Sequence, residues 1–205
     1  MSTFLGQISP SITNMIRLDH THVLTAFHQY DLAGSERQKK GLVDNVCLAI
    51  EIHAQLEEEI FYPALRLVLD NEMLRKSPPE HDEMRGLISR LRHMPAGDPA
   101  FDDTFLELMR HVMHHIADEE TQLLPAAERL LPEQLSELGA RMTRRRLELM
   151  APRTPELASS MARSFSVGSV IAAGSTALAG AYLLTRHGRP FRSPMARSRF
   201  TRTTL

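Results

Sequence analysis

The chain has 205 residues, of which 42% are hydrophobic and 24% charged, and this balance excludes a wholly disordered polypeptide and allows one compact domain with an appendage. It contains no Trp and three Tyr, so aromatic platforms for stacking sugars or bases are scarce. Its single cysteine, Cys47, excludes an internal disulfide, and the N-terminus lacks the pattern of a secretion signal, so we expect a cytoplasmic protein.

The net charge of −1 hides an uneven distribution of charge along the chain. Residues 1–140 carry 12 basic and 23 acidic groups, whereas residues 141–205 carry 12 arginines and only two acids. Such a basic segment is typical of a region that contacts an anionic surface. The candidate surfaces are lipid head groups, the acidic body of the protein itself and, least expected, nucleic acid.

Four segments before residue 130 show the periodicity of amphipathic α-helices, and none shows the alternation of a β-strand. Their expected limits follow from Pro, Gly and capping residues: 9 to 34, 35 to 69 with a kink at Pro63, 77 to 94, and 99 onward. Because the connections are short, the sequence predicts an all-α, up-down-up-down four-helix bundle.

The C-terminal third has a different character. A fifth helix is expected from Glu133 to Met150, and Pro152 and Pro155 mark a linker after it. Residues 164–185 are uncharged and, as a helix of about 33 Å, match the roughly 30 Å apolar core of a bilayer.

We expect this uncharged segment to insert into or associate with a membrane, with the arginine-rich tail on its anionic surface. A soluble amphipathic or self-packing helix and a disordered tail are the alternatives. The expected organisation is a bundle over residues 1–130, a basic helix and linker over 131–163, a membrane segment over 164–185 and a basic tail over 186–205.

The most informative feature is a motif, H-x3-E-E-x4-P-A, that occurs twice, starting at His53 and at His115. An acidic residue followed by histidine precedes each copy: Asp19-His20 before the first and Glu80-His81 before the second. His20 lies 33 residues before His53, and His81 lies 34 residues before His115. The sequence therefore predicts two similar helical hairpins.

Each copy of the motif places an imidazole and a carboxylate on one apolar helix face, since residues four apart share a face. Burying an ionised carboxylate without a partner costs on the order of several kcal/mol, and no Lys or Arg lies on these stripes at that level. Divalent metal ions are the expected counter-charge, with a metal-free polar core as the alternative. The predicted ligands are His20, His53, Glu57, His81, His115 and Glu119.

Imidazole and carboxylate without thiolate suit iron, manganese or zinc, and two carboxylates able to bridge favour a pair of iron ions. The second glutamate of each copy, Glu58 or Glu120, is expected to face outward more often than to act as a ligand or to support one.

The pattern resembles the hemerythrin-like proteins, the HHE cation-binding group, over about residues 9–130. This resemblance implies a bundle that holds a non-haem di-iron centre through histidines on all four helices, with Glu57 and Glu119 as bridges. It implies binding or sensing of O2, NO or peroxide. An enzyme that decomposes peroxide or NO or oxidises ferrous iron, and an iron-storage protein, are the alternatives.

One position departs from the oxygen-carrying members of that family. Arg85 stands where they have a further histidine, one turn after the ligand on the third helix. This departure predicts a more open or water-filled coordination sphere, unless His111 fills the position, and it favours sensing, reactive chemistry or iron holding over reversible oxygen carriage.

Overall fold

The computed structural model describes residues 10–164, and within this range every regular element is a helix. In chain order the elements are α1 (Ile12–His28), α2 (Glu36–Leu56), a π-helical turn (Glu57–Phe61), α3 (Tyr62–Arg66), α4 (Glu72–His93), α5 (Phe101–Asp118), a second π-helical turn (Glu119–Leu123), α6 (Leu124–Leu130), α7 (Leu135–Met150), a 3-10 turn (Ala151–Arg153) and α8 (Thr154–Ser164). The predicted all-α fold is confirmed.

The uncharged segment that was expected to meet a membrane and the basic tail after it lie outside the described residues. Among the helices that the structure describes, none has both the length and the apolarity to cross a bilayer.

The first helix starts and ends at other residues than the sequence predicts. It begins at Ile12, because the hydroxyl of Ser11 accepts a hydrogen bond from the backbone N–H of Asn14 and so caps the helix. It ends at His28, well before Gly34. The following helix begins as predicted after Ser35, which forms a reciprocal capping box with Gln38.

Helix α4 starts five residues before the predicted Ser77, at Glu72, because the Asn71 side chain caps it. Pro78 and Pro79 therefore lie inside the helix, where they were expected to begin it. Pro78 cannot donate to the carbonyl of Leu74, and the guanidinium of Arg66 donates to that oxygen instead, at 3.5 Å.

Both copies of the repeated motif contain a π-helical turn that begins at the first glutamate, at Glu57 and at Glu119. The proline of the motif accounts for the wide turn. In a regular α-helix the ring of Pro63 would clash with the carbonyl of Glu59, and its nitrogen could not donate. Where the sequence predicted a kink at Pro63, the structure therefore has a π-helical turn just before the proline. Such turns are frequent at functional sites.

Two apolar clusters fill the bundle on either side of a polar layer. One includes Ile12, Ile16, Leu56, Leu65, Leu124 and Leu138, and the other includes Val23, Val46, Ile88, Phe105 and Val112. Along α1 the first cluster ends at Ile16 and the second begins at Val23, so that His20 lies between them. The two clusters exclude water from the layer that carries the histidines.

Helices α7 and α8 pack on the outside of the bundle, α7 against α1 and α2, and α8 along α2. Leu138 and Met142 enter the core from α7. Gly139 allows this close approach, because a Cβ atom at that position would overlap the carbonyl oxygen of Pro10. The segment after Met150, predicted to be a linker, is a short 3-10 turn followed by a helix.

Four arginines of α7, α8 and the turn between them form ion pairs with the acidic body of the protein. The pairs are Arg145 with Glu59, Arg146 with Asp19, Arg153 with Glu51 and Arg163 with Asp44. Of the anionic surfaces that the sequence suggests, the protein's own bundle is therefore the partner of these four arginines.

Candidate metal centre

The structure brings all six predicted ligands into one layer in the middle of the bundle. The four imidazoles come from α1, α2, α4 and α5, and the two carboxylates from the first residues of the π-helical turns. The side chains of Glu57 and Glu119 are fully buried, and three of the four imidazoles are nearly so.

The first group of converging atoms comes from His20, His53, Glu57 and Glu119, and these atoms lie within 4.8 Å of one another. His53 Nε2 is 3.1 Å from Glu57 Oε1, and His20 Nε2 is 3.3 Å from Glu119 Oε2. Within the described part of the chain, none of these four buried atoms has a hydrogen-bond partner. Buried polar atoms are almost always satisfied, so their convergence fits a shared cation.

The second group comes from His81, His115 and, again, Glu57. The Nε2 atoms of the two imidazoles are 3.0 Å apart, and Glu57 Oε2 lies 3.4 Å from the first and 3.9 Å from the second. Two nitrogens held at a right angle, each about 2.1 Å from one metal ion, are about 3 Å apart. Glu57 thus belongs to both groups and offers one oxygen to each, so it would be shared if each group held an ion.

The other ring nitrogen of each imidazole, Nδ1, faces a second carboxylate. The pairs are His20 with Glu120 at 2.9 Å, His53 with Asp19 at 3.3 Å, His81 with Glu58 at 2.9 Å and His115 with Glu80 at 3.0 Å. When Nδ1–H donates to a carboxylate, the lone pair of Nε2 points to the centre of the layer. Metal-binding histidines are commonly oriented in this way.

These pairs correct one expectation and add two residues. Glu58 and Glu120 were expected to face outward, yet each is partly buried and contacts an imidazole of the other hairpin. Asp19 and Glu80 received no role from the sequence, although an acid directly before histidine occurs twice. That repetition was the available signal.

Tyr62 is a member of the site that the sequence analysis missed. Its side chain is fully buried, and its hydroxyl lies 2.9 Å from Glu119 Oε1 and 3.2 Å from Glu57 Oε2. Its ring stacks on that of His81. Burial, together with the charges of the two carboxylates, raises the pKa of Tyr62 well above its ordinary value, so the group is a neutral hydrogen-bond donor.

The pKa values of several buried groups in the layer are shifted in the directions that favour charged imidazoles and ionised carboxylates. Burial alone would lower the pKa of His115, but Glu119, Glu57 and Glu80 outweigh it and raise this pKa to about 10. Burial alone would likewise raise the pKa of Glu57, yet the neighbouring imidazoles, His53 foremost, hold it well below its ordinary range. In the absence of metal, the raised pKa values of His53, His81 and His115 favour protonated imidazoles, whose charge stabilises the ionised Glu57.

The side chain of Arg85 is paired with two carboxylates. Its guanidinium binds Glu58 at 2.7 Å and Asp82 at 2.8 Å at the edge of the bundle. His111 is partly exposed, with Nδ1 3.3 Å from Glu83.

A cavity of about 20 Å³ lies beside the four imidazoles, and its apolar wall includes Val23, Ile50, Met84, Val112 and Ile116.

The chain resembles known proteins in sequence and in fold. The family description "Hemerythrin HHE cation binding domain" matches residues 11–127, more than half of the chain. A crystal structure of a hemerythrin HHE cation-binding domain-containing protein from Mycobacterium kansasii superposes with a TM-score of 0.61 at 19% identity, covering 76% of this chain and 99% of that one. A DNA nickase from Nostoc sp. is 25% identical over 130 residues, which are 63% of this chain and 37% of that relative.

Proposed function

Because the chain belongs to the hemerythrin HHE cation-binding family, we propose that it holds two iron ions in the polar layer and binds O2, NO or peroxide beside them. The observation that carries this proposal is the position of Glu57, which offers one oxygen to each of two ligand groups. The donor set of imidazole and carboxylate without thiolate suits iron better than softer metals.

An iron pair held by these residues would supply electrons to a small oxidising ligand, and the residues around the layer would determine which ligand reaches it. The cavity of about 20 Å³ has room for roughly one water-sized molecule, and its apolar wall favours an uncharged diatomic over an ion. Arg85 is not among the residues that line this cavity, and its guanidinium is held by Glu58 and Asp82.

Exposure of iron-loaded, anaerobically reduced protein to O2 or NO tests this proposal. We expect a new visible absorption that disappears when the gas is removed. The matched control is His81→Ala, which removes an imidazole beside the cavity and should abolish the response. A wild-type protein that holds two iron ions and shows no spectral response to either gas or to peroxide would contradict the proposal.

A second candidate is an enzyme that decomposes peroxide or NO, and Tyr62 favours it. The neutral hydroxyl of Tyr62 lies within hydrogen-bond distance of Glu119 at 2.9 Å and Glu57 at 3.2 Å, can donate its proton to either one, and would be a buried proton donor next to bound ions. Catalytic consumption of peroxide or NO, with many molecules removed per protein chain, would support the enzyme. A single binding event per site would support the binding protein.

A further inference from the structure

Each of the four imidazole–carboxylate pairs continues outward to a cation. Arg17 contacts Glu120 at 3.2 Å, Arg85 contacts Glu58 at 2.7 Å, Lys76 lies 3.8 Å from Glu80, and Arg146 contacts Asp19. The first three cations lie on bundle helices, whereas Arg146 lies on α7, outside the family-matched region. One of the four cationic side chains around the layer, that of Arg146, is thus supplied by the chain beyond the family-matched region.

The contact between Arg146 and Asp19 is the most specific of the four. The two terminal nitrogens of the guanidinium bind the two oxygens of the carboxylate, at 2.6 Å and 2.5 Å. Such a parallel, two-point contact fixes the plane of the carboxylate as well as its position. Oxygen Oδ2 of Asp19 is shared, because it also lies 3.3 Å from His53 Nδ1. A displacement of α7 would therefore move Asp19 and change the contact that orients the ring of His53.

His53 is also the least enclosed of the four imidazoles. Its side chain is 12% exposed, against 1% to 4% for the other three. It adjoins a cavity of about 300 Å³ that reaches between the bundle and the outer helices, with Arg146, Met150 and Leu157 on its outer wall. Because packing holds this ring less firmly, its orientation depends more on the contact with Asp19.

We propose that α7 is a functional part of the metal centre, in which Arg146 is a positioning residue that acts through Asp19 on His53. Arg146 thereby sets the affinity for the metal ion held by His20 and His53 and the spectrum of that ion. This inference rests on the proposed metal-binding function. By linkage, binding of metal and docking of α7 stabilise each other.

The test compares Arg146→Gln with Arg145→Gln, using Co²⁺ as the probe metal. Arg145 is a matched control, since it lies on the same helix and pairs with Glu59, away from every imidazole of the layer. We expect Arg146→Gln to lower the affinity for one of two Co²⁺ ions about 10- to 100-fold in chelator competition, and to change the visible spectrum of that ion. Arg145→Gln should leave both unchanged within about twofold.

Equal affinities and spectra in wild type and Arg146→Gln would overturn the inference, as would equal losses in the two variants. Wild-type protein that binds no metal would instead overturn the proposed function itself. Arg146→Lys keeps the positive charge but cannot make the two-point contact. This variant should fold, and its Co²⁺ spectrum should still differ from that of the wild type.

Amide hydrogen exchange of the wild type gives a second readout that needs no variant. Addition of Co²⁺ should slow exchange within Leu135–Met150. Unchanged exchange in this helix, with the metal bound, would contradict the coupling.

Discussion

The two hairpins of the bundle carry the same ligands in the same order, yet they differ in what surrounds them. Tyr62 of the first hairpin corresponds to Leu124 of the second, so only one half supplies a phenol to Glu57 and Glu119. The carboxylate behind His53 is held by a helix outside the bundle, whereas the one behind His115 lies 3.8 Å from Lys76 within its own hairpin.

This comparison separates two properties of the site. The repeated ligands would determine where the two proposed cations fit, and each of the two groups contains two imidazoles and Glu57. The residues that differ make the two groups unequal: His53 adjoins a cavity of about 300 Å³ and an outer helix, whereas the side chain of His115 is nearly fully buried. The following changes separate these two properties.

The largest effect is expected for Glu57, the residue that both ligand groups share. We expect Glu57→Gln to reduce the bound metal from two ions per chain to fewer than one, because the neutral amide cannot bridge two cations. Elemental analysis of the purified variant measures this loss. Glu59→Gln is the control, since Glu59 lies in the same π-helical turn, faces Arg145, and should keep both ions. Retention of two ions by Glu57→Gln would contradict the bridging role.

His53→Ala and His115→Ala should each lose one ion and should differ in rescue by added imidazole. The cavity of about 300 Å³ beside His53 lets free imidazole replace the missing ring, whereas the buried site of His115 does not. We expect millimolar imidazole to restore the second ion only in His53→Ala. Equal rescue of both variants would show that the two halves are equally accessible.

The symmetric part of the site is also the part that the sequence could predict. His20, His53, Glu57, His81, His115 and Glu119 stand on apolar stripes of regular period, and the structure brings them together in one layer. Tyr62 could not be found in this way. On an α-helix it would point about 140° away from Glu57, five residues earlier, and only the π-helical turn brings it back.

The asymmetric contacts escape sequence analysis for a different reason. Arg146 and Asp19 are 127 residues apart, and no local period relates α7 to α1. The start of α4 was misplaced because Pro78 and Pro79 are typical of a first turn, while the Arg66 contact that makes an interior proline tolerable comes from another helix.

A smaller effect is expected when the packing of α7 is disturbed without a change of charge. Gly139→Ala places a methyl group against the carbonyl of Pro10, and we expect a loss of about 1–3 kcal/mol in the free energy of unfolding. Denaturant titration of the metal-free protein measures it. Gly86→Ala is the control, because a Cβ atom there meets nothing within 4 Å, and it should not be destabilising. Equal stability of Gly139→Ala and wild type would show that α7 is loosely docked.

The smallest effect on metal content is expected for Tyr62→Phe, which makes the first hairpin more like the second. Both ions should remain, because Tyr62 is placed as a hydrogen-bond donor to the ligands. The loss of its hydroxyl should alter the visible absorption of the iron-loaded protein and slow any turnover of peroxide at least about tenfold. An unchanged spectrum and rate would assign Tyr62 to packing alone.

Anomalous diffraction from crystals of protein prepared without chelators, recorded at the iron absorption edge, addresses the central claim most directly. We predict two peaks within the polar layer, one beside His20 and His53 and one beside His81 and His115, with Glu57 in contact with both. A layer without any anomalous peak, or a single peak that excludes Glu57, would contradict the account.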